Sequence, residues 1–181
     1  MSTDNQQERL AITKEMKWFL AGLIEGEGSL VIAIKKQPTA KFGFYVDTEF
    51  FLYQHRFARE LLEMAQRIFG SGWIRPKSGN PDVLVYGITS RRTIEERVIP
   101  FYEKYMRYSS KLKWDNFLRF KEATRIFQRK EHMTREGILK LIDIAYSLNH
   151  AGKQRKYPKE EIIARIPRDY TPNPDQMSGM I

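Results

Sequence analysis

Two carboxylates one residue apart, Glu25 and Glu27, close an apolar run that begins at Trp18, and Gly26, Gly28 and Ser29 stand around them. Paired carboxylates beside exposed backbone carbonyls are hard oxygen ligands, the kind that suit Mg²⁺. They also stand at the unfavourable end of a helix. A helix C-terminus carries partial negative charge and favours Lys, Arg or His, so an exposed acid there is unfavourable by roughly 0.3–1 kcal/mol. A lone Glu-x-Glu ordinarily means acids solvated beyond a glycine cap; a broken local rule points to a site when its surroundings agree.

The surroundings here are unusual. Gly22 and Gly26 lie four apart with Ala21 beside them, so one stripe of the helix has almost no side chain and two backbones can pack closely. Small residues at this spacing are best known from membrane helices, but seven apolar residues from Trp18 to Ile24 cannot span a bilayer. A close helix pairing in a water-soluble protein is left, and it would bring the acids of two helix ends together.

The elements that must position these groups follow from periodicity. Thr13 fits an N-cap for a helix over 14–25, in which Met16, Phe19, Leu20, Leu23 and Ile24 recur at helical spacing until Gly26 and Gly28 stop it. The period then changes to two. Residues 29–37 read as a strand, Pro38 and Thr39 turn the chain, and residues 42–53 read as a second strand. In that strand Phe42, Phe44, Val46, Thr48, Phe50 and Leu52 make the core face, and Tyr45, Asp47, Glu49 and Phe51 the other. A helix over 56–69 with Phe57, Leu61, Met64, Ala65 and Ile68 inward ends at Gly70. Residues 73–77 and 83–89 read as a hairpin around Ser78-Gly79-Asn80-Pro81. Helices follow over 93–105 (interrupted at Pro100), 111–129 and 135–149, then a short one over 158–166, with 170–181 irregular. This order predicts an α+β fold: helices on one face of an antiparallel sheet. Organisation is read as a flexible N-terminal tail over 1–13, a main domain over 14–150 and a basic C-terminal extension over 151–181.

Composition narrows the partners. Against 22 Asp and Glu the chain has 31 Lys and Arg, a formal charge of +9; this favours a polyanionic partner or serves solubility alone. The absence of cysteine excludes a disulfide framework and a thiolate zinc site, and the three His are too dispersed for a His-ligated zinc. The sequence contains no secretory or membrane-spanning segment, so an intracellular, non-secreted protein is expected, in prokaryotic cytoplasm or an organelle.

The stretch Leu20-Ala21-Gly22-Leu23-Ile24-Glu25-Gly26-Glu27-Gly28 resembles the signature of the LAGLIDADG homing endonucleases, spelled here LAGLIEGEG and present once. The resemblance implies an αββαββα core over about 14–129, with the last fifty residues outside the family pattern. A single motif implies a homodimer joined through the motif helices, with Leu20, Ala21, Gly22, Leu23 and Gly26 at the interface. It implies that Glu27 and the Gly28 carbonyl hold a divalent metal, Mg²⁺, and that Glu25 supports the helix end. Gln54, before the second helix, matches a residue that orients active-site water, and Lys113, in Lys111-Leu112-Lys113, a lysine that stabilises charge near the scissile phosphate. A further basic position falls on His55, Arg56 or Arg59.

The sheet face free of helices would meet double-stranded DNA. On it the pattern places Lys35, Gln37, Tyr45, Asp47, Glu49, Arg75 and Lys77, with Asp82 and Tyr86 from the hairpin. Arg and Lys donate to guanine, Gln pairs with adenine and acids accept from cytosine N4. A solvated sheet face would carry the same residue types, and a register slip of one would exchange the faces. The implied activity is a sequence-specific, metal-dependent double-strand break at a long pseudopalindromic target, by an intron-encoded enzyme with no small-molecule substrate and no membrane. An RNA maturase or a non-cleaving DNA-binding regulator is the alternative on the same fold.

Overall fold

The computed structural model describes residues 11–40, 42–148 and 157–167. Its first helix, α1 (Lys14–Glu27), starts where Thr13 Oγ1 accepts from the Met16 N–H at 3.2 Å. It runs through Gly26 rather than stopping there, and passes with no loop into strand β1 (Gly28–Lys36). Gly28 makes that junction: its N–H donates to the Ile24 carbonyl, and a Cβ on it would lie 2.7 Å from both the Ile24 oxygen and Cγ2. No other residue fits without moving backbone.

Strand β2 (Phe44–His55) pairs antiparallel with β1, from Gly28 opposite Leu52 to Lys36 opposite Phe44. A 3₁₀ turn (Arg56–Ala58) leads into α2 (Arg59–Phe69), which ends on left-handed Gly70. Strands β3 (Trp73–Lys77) and β4 (Asn80–Ile88) form a hairpin closed by Ser78 and Gly79, with Gly79 at φ 77°. The sheet order is β1-β2-β4-β3. Pro76 is tolerated because β3 is an edge strand.

The expected break at Pro100 does not occur. Helical structure continues through α3 (Arg91–Thr93), a π-helical turn (Ile94–Val98) and α4 (Ile99–Tyr105). Pro100 sits in the first turn of α4, where its missing N–H costs little, and the wider turn precedes it. Helices α5 (Lys111–Gln128), α6 (Arg135–Ser147) and α7 (Lys159–Ala164) complete the fold. The core lies between the helices and the sheet face made by Leu30, Ile32, Val46, Phe50, Leu52 and Tyr86. Ile162 and Ile166 join that core, so this part of the 151–181 segment packs with the main domain. Expectations for 1–10, 149–156 and 168–181 lie outside the described residues. Among those described, no helix is long and apolar enough to cross a membrane.

Two helix assignments and part of the expected interface are corrected. Phe57, at 79% exposure, falls in the 3₁₀ turn, where helical spacing does not hold; α2 buries Met64 and Ala65 as expected, with Leu62 and Phe69 beside them. Phe19 lies on the outer side of α1 at 56% exposure. Conversely Leu20 and Ala21, expected at an interface with a second copy, are buried in this chain's own core beside Ile24.

Candidate active site and nucleic-acid interface

Glu25, the first of the acids at the end of α1, is explained by another helix. Helix α5 begins at the same corner, capped by Ser110, whose Oγ accepts from the Lys113 N–H at 3.4 Å. The Ser110 N–H donates to Glu25 Oε1 at 3.1 Å. Glu25 is thus at the wrong end of its own helix and at the favourable, positive end of α5. Burial alone would raise its carboxyl, but hydrogen bonds from Ser110 and Ser109, with the Lys113 charge, hold it below the ordinary carboxylate range.

Lys113 completes the exchange. Its Nζ donates to the Gly28 carbonyl and lies 3.5 Å from the Ile24 carbonyl, so an ammonium from α5 neutralises the C-terminus of α1. Desolvation there lowers its pKa, against the opposing pull of Glu25 and Glu27. Glu27, the last residue of α1, stays exposed. Lys113 lines a pocket of about 160 Å³ with Ser29, Tyr102 and Asn116 among others, and Asn116 Oδ1 is buried without a hydrogen-bond partner among the described residues.

This corner suits a divalent cation in one respect: two backbone carbonyls already converge on a positive charge, and Glu27, which has no ion pair among the described residues, lies near that charge. It is incomplete in another. Among the described residues no three His, Cys, Asp or Glu side chains gather as a ligand group, whereas a hard divalent ion needs about six oxygens. Glu27 and Gly28 would supply a minority, leaving the rest to water, phosphate or a second copy.

Gln54 lies within β2, not beyond it, opposite Leu84. It is two residues past Leu52, the register partner of Gly28, so the strand carries it roughly 7 Å further along the end of the sheet where α1 finishes. Of the three candidates for a further basic group, Arg56 pairs with Asp82 at 3.1 Å and Arg59 with Glu63 at 2.7 Å, while His55 Nδ1 accepts from the Phe57 N–H.

The open sheet face differs from expectation in β4. Tyr86 is fully buried, in phase with Leu84 and Ile88, and its hydroxyl donates to the Ser71 carbonyl at 2.6 Å. Asp82 shares that phase and pairs with Arg56, so neither residue belongs to the open face. The hairpin turns after Lys77 with a register irregularity at Pro76 and Lys77, and this sets the phase of β4 one residue from the expected one. The open positions of β4 are Val83, Val85 and Gly87. Asp47 is held by Arg91 at 2.8 Å, and Glu49, 5% exposed, by Lys35. Gln37, beyond β1, donates from its side chain to Thr39 within the turn. Arg75, Lys77 and Tyr45 keep their places on the face.

Phe51 lies on that face as the strand pattern placed it, but sequence reasoning missed Tyr53 and Trp73 beside it. Phe51 and Tyr53 of β2 lie beside one another, and Phe51 meets Trp73 of β3 at 6.1 Å between ring centroids. Their period-two phase with Tyr45 and Arg75 was the available signal. It also missed exposed aromatic surface near α1: Trp18, Phe19 and Tyr108 lie exposed, and a Cβ built on Gly22 or Gly26 meets nothing within 4 Å.

The helix-to-strand junction, the acid beside it and the four-stranded antiparallel sheet together define a nuclease-type LAGLIDADG fold, and a LAGLIDADG endonuclease family model matches residues 20–124. The chain belongs to that family. It is 41% identical over 138 residues to the DNA endonuclease I-CeuI of Chlamydomonas moewusii, covering 76% of this chain and 63% of the relative. The chain thus spans somewhat under two thirds of that relative's length. Among solved structures it resembles the group I intron-encoded homing endonuclease I-CeuI in complex with DNA, with a TM-score of 0.80, 36% identity and coverage of 87% of this chain and 78% of the other. The archaeal intron-encoded homing endonuclease I-Vdi141I in complex with DNA gives a TM-score of 0.73 at 29% identity, covering 82% and 92%.

Proposed function

We propose that this protein is an intron-encoded, sequence-specific DNA endonuclease that works as a homodimer with a divalent metal and makes a double-strand break at a long pseudopalindromic site. The observation that carries the reading is the α1–α5 corner: an unpaired carboxylate, Glu27, beside a desolvated ammonium, Lys113, fixed by backbone carbonyls. Hydrolysis of a phosphodiester needs a water that can lose a proton and positive charge near the developing oxyanion. A divalent ion, Mg²⁺ in this reading, held by Glu27 and the Gly28 carbonyl, would supply water activation and charge neutralisation.

The chain's own groups do the rest. Lys113 holds a positive charge where it need not reorganise during reaction, the condition under which such a charge is most effective. Glu25 fixes the start of α5 and thereby the position of Lys113. Gln54, at the same end of the sheet, orients water by its amide. The outer stripe of α1, with Gly22, Leu23 and Gly26, meets the same stripe of a second copy, and the symmetry brings a second Glu27 to the other DNA strand. The open sheet face enters the major groove, which admits a two-stranded ribbon. A DNA substrate places this activity inside a cell, in prokaryotic cytoplasm or an organelle.

Cleavage selection on a randomised duplex library with Mg²⁺, comparing the protein with Glu27→Gln, tests the activity. Metal-dependent double-strand cuts that vanish in the variant are expected; absence of cuts, or equal cutting by both proteins, would sink the nuclease. Sedimentation over a range of concentrations tests the dimer, and Gly22→Leu should shift the protein to monomer.

A further inference from the structure

The cations of β3 stand on rings where most of their counterparts stand beside acids. Arg56, Arg59, Arg92 and Lys35 each hold a carboxylate. Among the described residues Arg75 and Lys77 make no ion pair. The Arg75 guanidinium lies 4.8 Å from the centroid of the Trp73 ring, and Lys77 Nζ 5.6 Å from that of Tyr53.

The indole under Arg75 is itself seated. Trp73 and Phe51 are both register partners of Gly87, one from each side. A Cβ on Gly87 would lie 2.5 Å from Trp73 Cζ2 and 2.8 Å from Cε2, so the ring lies across the β4 backbone in the space a side chain would fill. Phe51 bounds the ring on the β2 side.

The chemistry separates a ring from a carboxylate as a support. A carboxylate accepts one or two of the guanidinium N–H groups, and those donors must be released before they can meet a base. An aromatic face attracts the cation without accepting a conventional hydrogen bond. All five guanidinium donors then stay available for guanine O6 and N7, while stacking limits the rotamers of the side chain.

We propose that Trp73 is a specificity-positioning residue: seated on Gly87, it holds the Arg75 guanidinium in place to read a guanine in each half-site. This rests on the reading of the open face as the DNA-contacting one. Tyr53 supports Lys77 in the same manner, with less angular control because an ammonium is a point charge.

Binding selection from randomised duplexes, without divalent metal so that no cutting intervenes, gives base preferences for wild type, Arg75→Ala, Trp73→Leu, Trp73→Phe and the double variant R75A/W73L. Arg75→Ala should flatten a guanine preference at one base pair per half-site. Trp73→Leu should weaken the preference at that same pair by about two- to fivefold, the size of a surface cation–ring contact, and leave other pairs alone. Trp73→Phe should retain most of it, and the double variant should be no worse than Arg75→Ala. A Trp73→Leu profile equal to wild type, or weakened evenly at all pairs, would overturn the supporting role even though Arg75→Ala shows that the face reads bases. No change in Arg75→Ala would instead remove base reading by Arg75, and the supporting role with it.

Discussion

The α1–α5 corner and the open sheet face both bring cations and acids together, and they treat them in opposite ways. At the corner, Lys113 is partly desolvated and its donors are committed to the carbonyls of Gly28 and Ile24, while Glu25 is committed to the Ser110 N–H. On the β3–β4 side of the face, Arg75 and Lys77 are exposed and supported by rings that take no donor. The β1–β2 side resembles the corner more than its neighbour, since Lys35 and Arg91 are taken by Glu49 and Asp47. At the corner, backbone groups of the protein fix the side chains; on the β3–β4 side the cations keep their donors free. A count of charges on a strand therefore says little about what that strand can read.

The sharpest way to break this comparison is at the acid left unpaired. Glu27→Gln should reduce cleavage about a hundredfold or more, equivalent to about 2.7 kcal/mol of barrier, with DNA affinity nearly unchanged in a filter-binding assay. If affinity fell in parallel with cleavage, the corner would be serving recognition and the division would fail.

Gly28→Ala attacks the corner through its backbone. The added Cβ meets the Ile24 carbonyl and side chain at 2.7 Å, so thermal melting should show a loss of about 1–3 kcal/mol. Next come two lysines on the two sides of the face. Lys35→Ala strands the buried Glu49 carboxylate and should lower stability by about 1–2 kcal/mol, discounted for the half-exposed lysine. Lys77→Ala should leave melting unchanged. It should weaken DNA binding instead, and if the ammonium meets a phosphate the salt slope should fall by about 0.9. The reverse pattern would erase the difference between the two sides.

The mildest test uses acid. The Glu25 carboxyl is depressed in the folded protein, so its contribution is present above the ordinary carboxylate range and is lost as pH falls through the folded value. Wild type should therefore lose stability on acidification more steeply than Glu25→Gln, measured by denaturant midpoints across that range. Equal slopes would detach Glu25 from the start of α5.

Much of the architecture was legible because it is written in short periods. The helical spacing of α1 and the alternation in β1 and β2 are local consequences of burying one face, and Phe44, Val46, Thr48, Phe50 and Leu52 are all buried as read. The β4 phase was not legible, since it hangs on how the Ser78-Gly79 turn and the irregularity at Pro76 join two strands. Nor could the inner and outer sides of α1 be told apart where every position from Trp18 to Ile24 is apolar or glycine; packing placed Leu20 inside and Phe19 outside.

By itself, then, the sequence determined the α+β order, the acids at the end of the first helix and the bare glycine stripe beside them, since each is set by residues within a few positions of one another. Tertiary structure alone decided what meets that helix end. Glu25 and Ser110 are 85 positions apart, as are Gly28 and Lys113. An acid misplaced at the negative end of one helix becomes well placed only when folding brings the positive end of another against it, and no local pattern encodes that meeting.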